Sequence, residues 1–115
     1  MKFYFNNNKH LHFVGIGGMG MSGMAELLYN HGFTISGSDI TKSNRTKHLS
    51  KYKGIKIFYF HKKENIRNCD VVVYSSAINR DNPEIKEAIK QNIPIIKRAE
   101  LLGELVRVKD ISIAI

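Results

Sequence analysis

The feature that most constrains the fold is a glycine cluster between a short apolar run and a longer amphipathic segment. The run spans about His10 to Val14, the cluster reads Gly15-x-Gly17-x-x-Gly20, and helical spacing of apolar residues predicts a helix from about Gly18 to Asn30. A strand, a tight glycine turn and a helix in this order form the opening of a βαβ unit. The sequence therefore predicts a parallel sheet whose first strand begins near His10.

The rest of the chain continues the alternation of short apolar runs and longer helical segments. Four more strands are predicted at about Phe33–Gly37, Ile55–Phe58, Val71–Tyr74 and Ile93–Ile96. Helices are predicted at about Ser43–Tyr52, Asn82–Gln91 and Arg98–Arg107, with a short helix or irregular connection at His61–Asn68 and a last strand at Ile111–Ile115. The predicted fold class is α/β, a Rossmann-like open parallel sheet of about five strands with helices on both faces.

Length and composition narrow the class of protein further. A chain of 115 residues with 43% hydrophobic residues has the size of one compact domain with a core. Its longest apolar runs fall far short of the roughly 20 residues that cross a bilayer, and its first residues do not read as a secretion signal, so a cytoplasmic protein without a membrane partner is expected. The single cysteine, Cys69, excludes an internal disulfide.

The charge of the chain is strongly basic, with 18 Lys and Arg against 10 Asp and Glu, for a net charge of +8. Such a charge favours anionic partners, and a nucleic-acid-binding module would show strong salt-dependent binding to random DNA. The lysines, however, are scattered singly or in pairs over predicted solvent faces, as in Lys62-Lys63. We therefore expect no nucleic-acid partner.

The glycine cluster is also the first candidate for chemistry. In this context the first glycine permits the tight turn, the second lets the backbone approach a diphosphate, and the third lets the helix lie close to the sheet. The unpaired N–H groups at the start of the helix then face the anion. The alternative interpretation is that the glycines serve a tight connection and bind nothing.

Polar residues at the ends of later strands add to this candidate site. Asp39 lies 19 residues beyond Gly20, where a carboxylate can accept hydrogen bonds from ribose hydroxyls, although a turn aspartate would look the same. Ser75 and Ser76 leave the fourth strand at the same carboxyl edge. His61 follows the third strand and could donate to a phosphate or a base, or be structural. The remaining histidines share no metal-ligand spacing, so no metal site is predicted.

Several blocks of sequence resemble the amino-terminal part of the Mur ligases, the enzymes that build the peptide of bacterial cell-wall precursors. The main block is His12-Phe13-Val14-Gly15-Ile16-Gly17-Gly18-Met19-Gly20-Met21-Ser22-Gly23-Met24-Ala25-Glu26. Further blocks follow in the family's order: Ser36-Gly37-Ser38-Asp39, His61, Val71 to Ile78, Asp81-Asn82-Pro83-Glu84 and Arg98-Ala99-Glu100-Leu101-Leu102. Phe60 departs from the pattern, because the family more usually has glycine before this histidine.

The resemblance implies a ligand and a set of contacts. In the family this domain binds the UDP portion of UDP-N-acetylmuramate, to which the parent enzyme joins L-alanine at the expense of ATP. Carried over, the loop would hold the diphosphate, Ser38 and Asp39 would meet the uridine end, and the two serines would border the cleft. The implied substrate-binding residues are Gly15, Gly17, Gly18, Met19, Gly20, Ser38, Asp39, His61, Ser75 and Ser76, with no catalytic residue among them.

The resemblance also implies that the chain is part of a longer ligase. Residues 1–108 would form the UDP-binding domain, and residues 109–115 would begin a central ATP-binding domain. No Gly-x-x-x-x-Gly-Lys-Ser/Thr pattern occurs in the 115 residues. We therefore expect no cofactor and no activity in this fragment, with ATP, Mg²⁺ and the central and carboxyl-terminal domains belonging to the parent protein.

Two alternatives stay open from the residues. The glycine pattern with Asp39 also fits an NAD-binding sensor or a dehydrogenase fragment. Within the family, a ligase that recycles whole peptides ranks second because its first loop is less regular in glycine.

Overall fold

The structure is a computed structural model that describes residues 9–101 and 103. Strands and helices alternate along this part of the chain. The strands are β1 (His10–Val14), β2 (Thr34–Ser38), β3 (Lys56–Phe58), β4 (Val71–Tyr74) and β5 (Ile95–Lys97). The helices are α1 (Met21–Asn30), α2 (Asn44–Ser50) and α3 (Pro83–Lys90), with a 3-10 helix at Lys63–Ile66. Residues 98–101 and 103 are also helical.

The five strands form one parallel sheet in the order β3-β2-β1-β4-β5. The predicted α/β class and Rossmann-like sheet are thereby confirmed. Sequence order reverses direction between β1 and β4, and such a reversal opens a crevice at the carboxyl ends of the strands. The glycine cluster that follows β1 lies at this point of reversal.

An apolar cluster lies on each face of the sheet. On one face α1 and α2 pack over β1 and β2, with Phe13, Leu28, Ile35 and Leu49 in the core. On the other face α3 and the 3-10 helix pack over β1 and β4 around a smaller cluster: Val14, Ile66, Cys69, Val72, Ile85 and Ala88. Burial raises the pKa of the Cys69 thiol to about 12.

The helix boundaries follow local capping. Helix α1 begins at Met21, three residues later than predicted, because Gly20 adopts the left-handed conformation with φ 80° and caps the helix. Helix α3 begins as predicted, with Asn82 accepting a hydrogen bond from the Glu84 amide and Pro83 in the first turn.

Other predicted bounds are shifted or fall outside the described residues. β2 and β5 lie one to two residues later than expected, since their pairing with β1 and β4 sets the register. The end of the predicted helix at Arg98–Arg107, the predicted strand at Ile111–Ile115 and the domain boundary at residue 109 lie outside the described part of the chain. Within the described part, no helix is long and apolar enough to cross a membrane.

Candidate functional site

One edge of the sheet gathers the predicted site residues. The pairing places Phe58, Ser38, Val14, Tyr74 and Lys97 in a row across the five strands. The chain leaves this row towards His61, Asp39, the glycine loop, Ser75 and Arg98, respectively. Parallel strands thus bring together residues that are up to 83 positions apart, at the edge where open α/β sheets hold ligands.

The glycine loop, residues 15–20, turns tightly from β1 into α1. Gly15 has φ 82°, and the amides of Gly15 and Ile16 both donate to the Ser38 carbonyl, at 2.7 and 3.0 Å. Among the described residues, the backbone N–H groups of Met19 and Gly20 have no hydrogen-bond partner. These donors precede the first turn of α1, where the helix dipole favours an anion.

Gly17 is held by the protein from both sides of its peptide. Its N–H donates to Asp39 Oδ2 at 2.9 Å, and its carbonyl accepts from Arg45 Nε at 2.8 Å. A Cβ atom at position 17 would lie 2.7 Å from Thr46 Cγ2. Besides the approach to a diphosphate that the sequence predicts, glycine is required at position 17 because a side chain there would clash with the start of α2.

Asp39 is a turn aspartate that also binds the glycine loop. Its Oδ1 accepts from the Thr41 amide at 2.9 Å, as a turn aspartate does, while its Oδ2 holds the glycine loop. The side chain is half-buried at the end of β2. Each carboxylate oxygen can accept a second hydrogen bond, so the side chain retains the capacity to bind a diol.

Arg98 is a residue of this site that the sequence analysis did not single out. A Cβ atom at Gly20 would lie 3.1 Å from Arg98 Nε and 3.2 Å from Arg98 Cζ, so the guanidinium lies against the loop at the start of α1. No ion pair of Arg98 occurs among the described residues. The sequence feature that could have indicated Arg98 is its position directly after β5, at the carboxyl edge of the sheet.

Ser38, which the resemblance places at the uridine end of a ligand, lies in the interior of the chain. It is fully buried, its hydroxyl donates to Glu84 Oε1 at 2.7 Å, and His61 Nδ1 lies 2.9 Å from the same hydroxyl. His61 is 18% exposed and is therefore the member of this group that reaches the surface. His61 therefore links the buried Ser38 hydroxyl to the carboxyl edge of the sheet.

Glu84 is not among the predicted site residues, because an acidic residue in the first turn of a helix has an ordinary explanation in the helix dipole. It is fully buried, and its oxygens accept from His12 Nε2, Ser38 Oγ, Asn65 Nδ2 and the Lys62 amide at 2.7 to 3.1 Å. Burial alone would raise the pKa of Glu84, but the hydrogen bonds, that from His12 foremost, outweigh it and hold the pKa below its usual value. The buried carboxyl is therefore ionised at neutral pH.

The two serines after β4 belong to a turn that contacts the glycine loop through Ile78. Ser75 is half-buried and Ser76 exposed, and Ile78 of the same turn would lie 3.2 Å from a Cβ atom at Gly15. Met19, at the tip of the loop, is 85% exposed. The described residues contain no group of three or more His, Cys, Asp or Glu side chains that could hold a metal ion.

The fold and the edge together define a class of protein. A parallel sheet with a reversal beside β1, followed by a glycine turn and a helix, is an arrangement found in doubly wound α/β domains. A model of the Mur ligase family, catalytic domain, matches residues 10–110, and the chain belongs to this family.

Individual relatives agree with this assignment. The chain is 58% identical over 99 residues to a UDP-N-acetylmuramate–L-alanine ligase of Rickettsia typhi, covering 86% of this chain and 20% of the relative. It is 53% identical over 110 residues to the ligase of the same name from Acetivibrio thermocellus, covering 96% of this chain and 23% of the relative. The chain thus spans about a fifth of the length of these relatives.

A solved structure shares the fold. The crystal structure of UDP-N-acetylmuramate–alanine ligase from Thermotoga maritima superposes with a TM-score of 0.80 at 38% identity, over 85% of this chain and 23% of that one. The sequence resemblance to the Mur ligases is thereby confirmed.

Proposed function

We propose that this chain is the UDP-binding part of a ligase that joins L-alanine to UDP-N-acetylmuramate in the synthesis of peptidoglycan precursors. The observation that carries the proposal is the start of α1, where the Met19 and Gly20 amides are unpaired and the Arg98 guanidinium lies against Gly20. Two amides and a cation suit a diphosphate. The names of the relatives support UDP-N-acetylmuramate as the ligand that contains this diphosphate.

The proposed contacts follow from the positions of the side chains. Met19 and Gly20 offer backbone donors to the diphosphate, and Gly15, Gly17 and Gly18 hold the loop in its conformation, the Gly18 amide by donating to the Gly15 carbonyl at 2.9 Å. Asp39 accepts from the ribose hydroxyls, His61 meets the uridine end, and Ser75 and Ser76 border the cleft. Ser38 supports His61 from the interior.

In this proposal the domain positions the substrate and other domains perform the chemistry. The ATP, Mg²⁺ and L-alanine of the parent reaction would bind to a central and a carboxyl-terminal domain outside this chain. The chain by itself would neither hydrolyse ATP nor form the amide bond.

The proposal is tested by thermal unfolding of the chain with UDP, UDP-N-acetylmuramate or NAD. A ligand at 100 times its Kd stabilises the folded state by about 2.7 kcal/mol, which raises Tm by about 10 °C for a domain of this size. We expect such a shift with UDP-N-acetylmuramate, a smaller one with UDP and none with NAD at the same concentration. Equal shifts with NAD and UDP would favour the dinucleotide-binding alternative instead.

Arg98→Ala is expected to weaken UDP binding by about 10- to 100-fold, because hydrogen bonds to charged groups contribute about 1.5–3 kcal/mol. Isothermal titration with UDP measures the change. Arg67→Ala is the matched control, since Arg67 is exposed and lies before the amino end of β4, away from the carboxyl edge of the sheet. If both variants bind UDP equally well, the guanidinium of Arg98 takes no part in the site.

A further inference from the structure

A chain of hydrogen-bonded polar side chains lies on the face of the sheet that α3 covers. It links His10 to Ser36 at 2.7 Å, Ser36 to His12 at 2.8 Å and His12 to Glu84 at 2.7 Å. From Glu84 it continues to Ser38 at 2.7 Å and from Ser38 to His61 at 2.9 Å. The chain therefore connects the start of β1 with the carboxyl edge, where the proposed ligand site lies.

The protons of this chain are ordered by Glu84. An ionised carboxylate can only accept hydrogen bonds, so the Ser38 hydroxyl donates its single proton to Glu84. The contact between Ser38 Oγ and His61 Nδ1 then requires a proton on Nδ1. His61 Nδ1 is also 3.7 Å from Glu84 Oε2, where the negative charge favours an N–H over a lone pair.

We propose that Glu84 is a positioning residue that acts through Ser38 to hold His61 as the Nδ1–H tautomer, with Nε2 as an acceptor at the ligand site. Among the described residues Nε2 of His61 has no partner. Neutral His61 thus accepts from a donor of the nucleotide, a ribose hydroxyl or the imide N–H of uracil, and would not donate to a phosphate. This inference rests on the proposed function for the identity of the ligand.

Ser36 provides a matched comparison within the same strand. Ser36 and Ser38 are two residues apart in β2, on the same face, 5% and 0% exposed, and each hydroxyl joins a histidine to the chain. Only the Ser38 hydroxyl contacts His61 among these two. Ser36→Ala therefore removes a similar buried hydroxyl without a direct effect on His61.

The first experiment reads the tautomer directly. Long-range ¹H–¹⁵N spectra of the chain with ¹⁵N-labelled histidine, at about pH 8 where ordinary imidazoles are neutral, distinguish a protonated Nδ1 from a protonated Nε2. We expect the Nδ1–H pattern for His61 in the unaltered chain and in Ser36→Ala, and a shift to the Nε2–H pattern in Ser38→Ala. An Nε2–H pattern for His61 in the unaltered chain would overturn the inference, and this measurement needs no variant to fold. An unchanged Nδ1–H pattern in Ser38→Ala would also overturn it.

The second experiment measures UDP affinity in a double-mutant cycle. Ser38→Ala is expected to weaken UDP binding about fivefold, the value of one neutral hydrogen bond, while Ser36→Ala stays within about twofold of the unaltered chain. In a His61→Ala background the Ser38→Ala change is expected to have no further effect. A further loss in that background would show that Ser38 does not act through His61. Failure of the unaltered chain to bind UDP would overturn the proposed function. The role of Glu84 and Ser38 is tested separately, by the His61 tautomer in the ¹H–¹⁵N spectra.

Discussion

Gly37→Ala is expected to lower the free energy of unfolding by about 3 kcal/mol, the upper range for forcing an extra carbon into a packed core. A Cβ atom at position 37 would lie 2.4 Å from Ile16 Cδ1 and 2.6 Å from Ile16 Cβ. Ile16 cannot easily retreat, because it is fully buried and its amide is bonded to the Ser38 carbonyl. Equilibrium unfolding in urea measures the loss.

Gly23→Ala is the control for this prediction. Gly23 is an exposed residue of α1, and a Cβ atom there would meet no atom within 4 Å. Alanine in a helix is favoured over glycine, so this change is expected to stabilise the chain by about 0.5–1 kcal/mol. A Gly37→Ala variant as stable as the unaltered chain would show that the loop is free to move away from β2.

Glu84→Gln is expected to lower the free energy of unfolding by about 3–5 kcal/mol, because it leaves the buried His12 without its charged partner. The same carboxyl predicts how stability depends on pH. Its pKa is lowered in the folded state, so its contribution is present above the unfolded-state pKa of about 4.3 and is lost as pH falls through the lower folded-state value. Urea unfolding at neutral and acidic pH measures both effects, and the variant should lose part of the acid sensitivity.

Glu26→Gln is the matched control, since Glu26 and His48 form a second pair with the same separation of 2.7 Å. His48 is 59% exposed in that pair, and exposed ion pairs contribute about 1 kcal/mol or less. Equal losses in the two variants would mean that burial adds nothing to the pair of His12 and Glu84.

The fold and the outline of the site could be predicted because both depend on local signals. Alternating apolar runs predict parallel strands, and a parallel sheet brings every strand end to one edge, so Asp39, His61 and Ser75 could be placed there from their positions in the sequence. The glycine turn was visible for the same reason: only a residue without a side chain adopts φ 82° without strain, as Gly15 does.

The interior polar chain could not be predicted, because its contacts join residues far apart in sequence. Glu84 and His12 are separated by 72 positions, and Ser38 and Glu84 by 46. An acidic residue in the first turn of a helix has an ordinary local explanation in the helix dipole, and that explanation concealed its burial. Long side chains pose a second difficulty. The residues next to Arg45 and Arg98 in the sequence do not indicate which atoms of the glycine loop these side chains contact.

The clamps on Gly17 have a consequence for the energetics of binding. The carboxylate of Asp39 and the guanidinium of Arg45 hold the peptide groups of this residue, so the loop is already ordered in the absence of a ligand. The conformational entropy of ordering the loop is therefore lost during folding and not again when a nucleotide arrives. Substitution of Arg45, which is not among the proposed ligand contacts, would leave the atoms of the bound complex largely in place but raise the entropy of the free loop, so affinity would depend on a residue that does not contact the ligand.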